Sequence, residues 1–245
     1  MGMKKVLAGL VLLAALIVAA DRGALWLAER VAADRARAQG LTGAEVDVRG
    51  VPFLTQLADR DLREVVVTVA AYRTELGQLG IEGAGVGSID VTGVRVVARD
   101  VAIDSRRDLT AAQITVDGVV PWPDVAAAAG SGTDVTAAPN GEVNVQRIVR
   151  LFGRSVQVRA LARVTAVGGS VVVRPTEASI EGAGRLGDLA TEAVLPLMTL
   201  RYPVAGLPDG LVLTGAAPAA DGLNVTLSGR AISLSSLGEG PAGGR

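Results

Sequence analysis

The sequence contains no histidine and no cysteine. The first absence removes the usual acid–base group near neutral pH, and the second removes the thiol nucleophile. Together they remove the preferred zinc ligands. No disulfide can form, and a cysteine-linked lipid anchor is excluded. Aromatic residues are almost as scarce, at 2% of a chain that is 49% hydrophobic. A core must therefore be built from Val, Leu, Ala and Ile, with few platforms for stacking bases or sugars. Formal net charge is −1, from 24 cations against 25 anions, so no basic field draws in a nucleic acid. Lysine occurs only as Lys4 and Lys5. The arginine bias elsewhere reads either as the base composition of a G+C-rich gene or as guanidinium forks for phosphate.

Motifs for nucleophilic and phosphate chemistry are also missing. Gly-X-Ser-X-Gly does not occur; Ser88 follows Gly85-Val86-Gly87 without the downstream glycine. A P-loop needs a lysine that the body of the chain lacks. Gly83 to Gly87 does not complete the dinucleotide pattern and reads as a loop. Asp59, Asp61 and Glu64 could form a carboxylate pair for a hydrolase. Interleaved Arg60 and Arg63 favour a solvated face instead. The expectation is a protein without enzymatic activity, cofactor or metal.

What is present begins with Lys4-Lys5 ahead of an apolar run from Val6 to Ala20, closed by Asp21-Arg22. Residues 1–20 fit a secretory signal peptide, or a signal anchor if Gly23 to Ala28, with Leu25, Trp26 and Leu27, dips into the interface. Alone, the run falls short of the roughly 20 residues of a membrane span. The expected location is outside the cytoplasmic membrane, in the periplasm or cell envelope. Over residues 21–40 the spacing of Leu25, Ala28, Val31, Ala32 and Ala36 predicts a helix, with Arg30, Asp34, Arg35 and Arg37 outward and Gly40 as its stop.

The chain is organised around Val46 to Leu57. Val46 and Val48 alternate with Asp47 and Arg49 as a strand, which Gly50 and Pro52 end. Phe53-Leu54-Thr55-Gln56-Leu57 is then an apolar knuckle, with Leu54 and Leu57 on one face of a single helical turn. It reads either as a plug closing a core or as a lip touching lipid at a membrane surface.

Residues 44–237 read as antiparallel strands broken by turns. Val65, Val67 and Val69 share a face. Gly93 shifts the alternation of Ile89 and Val91 to that of Val94 and Val96, as a bulge would. Asp124 is expected to cap a short helix through Ala129. Pro139-Asn140-Gly141, Gly168-Gly169 and Asp221-Gly222 mark hairpins, and Pro175 is expected to end a strand. A second helix is expected from Asp188 to Leu195, and residues 238–245 as a loose tail. Helices do not alternate with strands, so the fold class is α+β, mainly β, in one domain over 21–237. Val65-Val66-Val67 and Val171-Val172-Val173 are apolar on both faces. Either a helix covers the second face or that face lines a groove for acyl chains. Arg147, Arg150 and Arg154, beside Leu151 and Phe152, would form a basic stripe if helical.

Residues 48–57, Val-Arg-Gly-Val-Pro-Phe-Leu-Thr-Gln-Leu, resemble the signature of an actinobacterial family of exported LmeA-type proteins. Leu207-Pro208-Asp209-Gly210-Leu211 and Asp221-Gly222-Leu223-Asn224-Val225 resemble its later motifs, and Val51 stands where an aromatic is common. The resemblance implies a phospholipid-binding protein, with phosphatidylinositol as ligand and a role in maturing envelope mannolipids. It also implies a tubular lipid-binding (TULIP-like) fold, in which a long curved antiparallel sheet packs around an N-terminal helix. The candidate sites are read from the residues themselves. Lipid contact is expected at Val51, Phe53, Leu54, Leu57, Val65, Val67, Val69 and Phe152, and head-group contact at Arg49, Arg147, Arg150 and Arg154. The expected partners are phospholipid and a membrane surface. The competing reading is an envelope scaffold protein without lipid cargo.

Overall fold

A computed structural model of the chain describes residues 21–34, 43–75, 88–104, 109–130, 132–151, 154–180, 199–204 and 207–234. Valine-rich alternation gives long strands: β1 (Glu45–Arg49), β2 (Asp61–Glu75), β3 (Ser88–Ile103) and β4 (Leu109–Pro121) form an antiparallel meander. The chain then passes through helix α3 (Trp122–Ala128) into a second meander. This comprises β5 (Thr133–Ala138), β6 (Glu142–Leu151), β7 (Arg154–Val167), β8 (Ser170–Ile180) and β9 (Leu200–Pro203). It returns to lay β11 (Gly222–Ser233) against β4, with β10 (Leu211–Pro218) outside it. The result is a six-stranded sheet, β1-β2-β3-β4-β11-β10, and a five-stranded one, β5-β6-β7-β8-β9.

Helix α1, residues 21–34, lies along the open edge of β1. Its contact line is Asp21, Leu25, Glu29 and Ala33, one residue per turn. Asp21 Oδ1 accepts the Leu54 N–H at 2.7 Å, and Glu29 Oε1 accepts the Val48 N–H at 2.9 Å, occupying an edge donor that no strand reaches. This edge-on placement turns Val31, assigned inward by spacing, out to solvent. Ala36, Arg35 and Arg37, the helix expected from Asp188 to Leu195 and the tail at 238–245 lie outside the described residues.

Helix α2 (Phe53–Asp59) forms the knuckle after β1. Pro52 caps its start, Phe53 is buried at 3% exposure, and Gln56 is buried beside it. Gln56 Nε2 donates to the Pro52 carbonyl at 3.3 Å while its Oε1 accepts the Arg63 N–H at 3.0 Å, so one amide ties the loop, the helix and β2 together. Gly50, at φ +120°, makes room for it: a Cβ there would stand 2.6 Å from Gln56 Nε2. Gly-X-Pro-Phe-X-X-Gln is thus a corner with a part for each residue.

Across four strands of the larger sheet the core-facing side shifts parity. The ladder skips Arg63, Asp100, Ala112 and Ala231 with the register unchanged on either side, and Asp100 and Ala231 take left-handed φ of 50° and 53°. Ala98 shares one core with Val101, and Ile114 shares another with Ile232. Inward residues here step by three rather than two.

The glycine bulge at Gly93 (φ 59°) is present, as a register shift between Thr92 and Arg95 against β4. The hairpins at Asn140-Gly141 and Gly168-Gly169 also form, on left-handed residues. Two local expectations need correction. Asp124 is not the cap of α3: the helix begins at Trp122 behind Pro121, and Asp124 Oδ2 accepts the Asp90 N–H at 3.4 Å. Pro175 does not end β8. It falls at a register shift opposite Ala162, where a missing N–H costs least, and the strand continues to Ile180.

Candidate functional site

The two faces of the six-stranded sheet differ in chemistry. On one face the residues facing one another across all six strands are Val46, Val67, Val96, Val116, Leu227 and Leu213. The row beside it is Val48, Val65, Ala98, Ile114, Gly229 and Leu211. The second row is sealed where α1, α2 and Leu234 pack over it. At the other end of the same face, Val120, Leu223 and Ala216 are covered by α3 and by Val135, Val143, Ala162 and Val164 of the smaller sheet. Between these two cores the first row stays half-exposed over five of its six positions, Leu213 alone being buried. Val46 packs against the first of these cores and Val96 and Val116 against Ile114, Leu211 and Ile232, whereas Val67 and Leu227 belong to no core.

Five interstrand steps of about 4.8 Å make this row about 24 Å long. That suits an extended acyl chain. The apolar side chains at the border of these cores thus form a half-exposed band across the sheet.

The opposite face is polar. Arg49 pairs with Asp47 at 2.8 Å and with Glu64 at 3.1 Å, and Glu64 also takes Arg99 at 3.2 Å. The Arg99 hydrogen bond, reinforced by Arg49 against some burial, holds the Glu64 carboxyl below the ordinary glutamate range; Asp47 likewise raises Arg49. Thr226 donates to Asp117 at 2.7 Å further along. A cleft of about 600 Å³ opens on this face between α1 and β1–β3, with charged residues of both signs around Val66. Val66, the middle of the all-apolar triplet, is buried here at 3% exposure. Its neighbours Val65 and Val67 face the apolar side, Val65 in the row sealed by α1 and α2 and Val67 in the half-exposed one. The double-faced triplet is thus met by α1 at the cleft on one face and by core and valine band on the other.

The sequence-predicted residues separate accordingly. Val65, Val67 and Val69 stand together on the apolar face, Val69 fully buried. Phe53 lies inside the core with Val48, Leu62 and Val101. Val51, Leu54 and Leu57 remain outside, at 58%, 40% and 47% exposure. Phe152 is outside the described residues. Arg49 is engaged by two carboxylates. Arg147 is exposed on β6, and its partners across the ladders are Thr133 and Val158. The basic stripe is not helical: Arg147 and Arg150 lie in strand β6, and Arg154 begins β7. The valine-rich sequence held β geometry there despite the three-four spacing.

Sequence reasoning missed Val46, Val96, Val116, Leu227 and Leu213 as one group. Each is an ordinary strand residue, and only the pairing of six strands aligns them. Among the carboxylates raised for a hydrolase, Asp59 and Asp61 are exposed and Glu64 is tied to two arginines. Among the described residues no group of three acidic side chains is placed to hold a metal ion, and no helix is long and apolar enough to cross a membrane.

A family model described as LmeA-like phospholipid-binding matches residues 19–228 of this chain. No curated protein matches it. No solved structure matches it either.

Proposed function

The chain belongs to the LmeA-like phospholipid-binding family, and from that premise we propose that it holds a phospholipid with an acyl chain laid along the half-exposed row Val46–Val67–Val96–Val116–Leu227. The observation that carries this is the row itself: five aligned apolar side chains on one face, half-exposed at the border of the sealed cores. Covering ten methylenes supplies roughly 8 kcal/mol before ordering costs, at about 0.8 each, so a shallow band suffices. The protein acts by binding and not by catalysis. Glu64, a carboxylate candidate for acid chemistry, is held ionised between Arg99 and Arg49, which suits a structural ion pair and not a proton donor.

The finer reading is an exported envelope protein. Lys4-Lys5 and the apolar run Val6–Ala20 support export. The cargo is an anionic phospholipid, with phosphatidylinositol the first head group to test, and the role is support of envelope mannolipid maturation. Of the expected head-group arginines, Arg147 is exposed on the smaller sheet, whereas Arg49 is engaged by Asp47 and Glu64.

Native mass spectrometry of gently extracted protein tests the reading. A phospholipid mass carried with the chain, retained after exchange into volatile buffer, is the expected result. A clean unliganded mass with no uptake from liposomes refutes it, and a stable protein partner in its place supports a scaffold.

A further inference from the structure

Three exposed apolar side chains, Val51, Leu54 and Leu57, crowd one short segment at the α1–α2 end. Helix α2 buries Phe53 and Gln56 and turns its two leucines to water, where a surface helix would ordinarily carry polar groups. The hydrogen bond from Leu54 N–H to Asp21 fixes the start of α1 at the same spot. The chain before Asp21 is the apolar run Val6–Ala20. The segment of the sequence best suited to lipid therefore precedes Asp21, which is bonded beside two exposed leucines. Trp26 and Leu27, exposed at 58% and 57%, sit on the outward side of α1 about 8 Å further along its axis. Arg22, Arg60 and Arg63 are exposed around the lip, against Asp59 and Asp61.

We propose that the α1–α2 end is a bilayer-docking surface, with Val51, Leu54 and Leu57 entering the head-group and upper acyl region and the surrounding arginines meeting phosphates. The occupant is a phospholipid membrane. A protein partner is disfavoured by the continuity of this end with the apolar run that precedes Asp21. The inference stands apart from the cargo reading. A protein can dock without carrying lipid, and the valine row can hold lipid without this end touching a membrane.

The absence of cysteine permits a direct test on the full chain. Leu54→Cys, Leu57→Cys, Val167→Cys and Val212→Cys are each labelled with an environment-sensitive fluorophore and mixed with phosphatidylcholine–phosphatidylglycerol vesicles, with and without nitroxide-bearing lipid. All four positions are exposed, so substitution and labelling leave the fold intact, which circular dichroism checks. Labels at 54 and 57 are expected to shift to the blue on vesicles and to lose most of their intensity to nitroxide lipid. Labels at 167 and 212 are expected to do neither. Lip labels that respond no more than those controls overturn the proposal. A blue shift without nitroxide quenching overturns it in favour of a protein contact. Lipid retention in native mass spectrometry, measured on the same samples, reports separately on the cargo reading.

Discussion

Replacing Val67, Val96 and Val116 together by threonine probes the row with little change of shape. Threonine matches valine in volume and strand preference and differs by a hydroxyl in place of a methyl. In the unliganded protein these three positions are half-exposed, so each hydroxyl keeps access to water. The expected loss of folding stability is below about 1 kcal/mol per site, the range of substitutions that create neither a cavity nor an unpaired buried group. With an acyl chain over the row, each hydroxyl loses its water and faces methylene. That costs about 1 kcal/mol at the low end of values measured in proteins. Three sites sum to about 3 kcal/mol. Adjacent residues do not add cleanly, so half of that is a safe floor.

At about 1.4 kcal/mol per decade, the affinity for phospholipid should fall between tenfold and a hundredfold. Titration of a fluorescent phospholipid gives the affinity, and urea unfolding of the same preparation gives the stability. Val212→Thr, on the polar face opposite Ser228, is the control and should alter neither. A triple variant that binds as tightly as the parent refutes the acyl-chain placement. One that loses binding only in step with lost stability shows that the row is core and not contact surface.

Within α2, Phe53→Ala should cost about 3–5 kcal/mol, as for other buried phenylalanines, while Leu54→Ala one residue later should stay within about 0.5 kcal/mol; paired urea midpoints check this. Gln56→Ala removes the acceptor for Arg63 N–H and should cost about 1–3 kcal/mol, with hydrogen exchange at that amide rising first. Glu64 titrates lower in the folded protein than in the unfolded chain. Its stabilisation is therefore complete above the ordinary glutamate range and is lost as pH falls through the lowered folded value. Glu64→Gln should flatten that part of the acid-unfolding profile, and raised salt should mimic the effect because the ion pairs with Arg49 and Arg99 are solvent-facing.

Local rules read the secondary structure well because this chain is written in strong local signals. Asn140-Gly141 and Gly168-Gly169 turn hairpins, Gly93 makes its bulge, and Pro52 separates β1 from α2. The misreadings share a cause: a pattern with more than one solution, decided by something distant. Arg147 and Arg150 have helical spacing, but β6 is paired on both sides, with β5 and β7, and has no freedom to coil. Val31 has the spacing of an inward residue for a helix lying flat on a sheet, yet α1 lies on an edge, fixed by Asp21 and Glu29 through backbone donors. The parity shift at Asp100 and Ala231 had no signal at all. Neither residue is glycine or asparagine, and the step shows only once Ala98 and Val101 are seen in one core.

The candidate site was half legible for the same reason. Alternation along β2 identified Val65, Val67 and Val69 as sharing a face, but it could not say what lay across from them. Pairing supplies that: Val67 meets Val46 and Val96, and the row continues through Val116 to Leu227 only because β11 returns from the far side of the smaller sheet to lie against β4. The insertion of β5 to β9 between β4 and β10 has two consequences at once. It covers the far end of the apolar face, at Leu223 and Ala216, and it sends the chain back to extend that face by two strands. One topological choice thus both seals a core and leaves a band of the same face uncovered. In a phospholipid-binding family, that uncovered band is where the chemistry of an acyl chain and the chemistry of this sheet coincide.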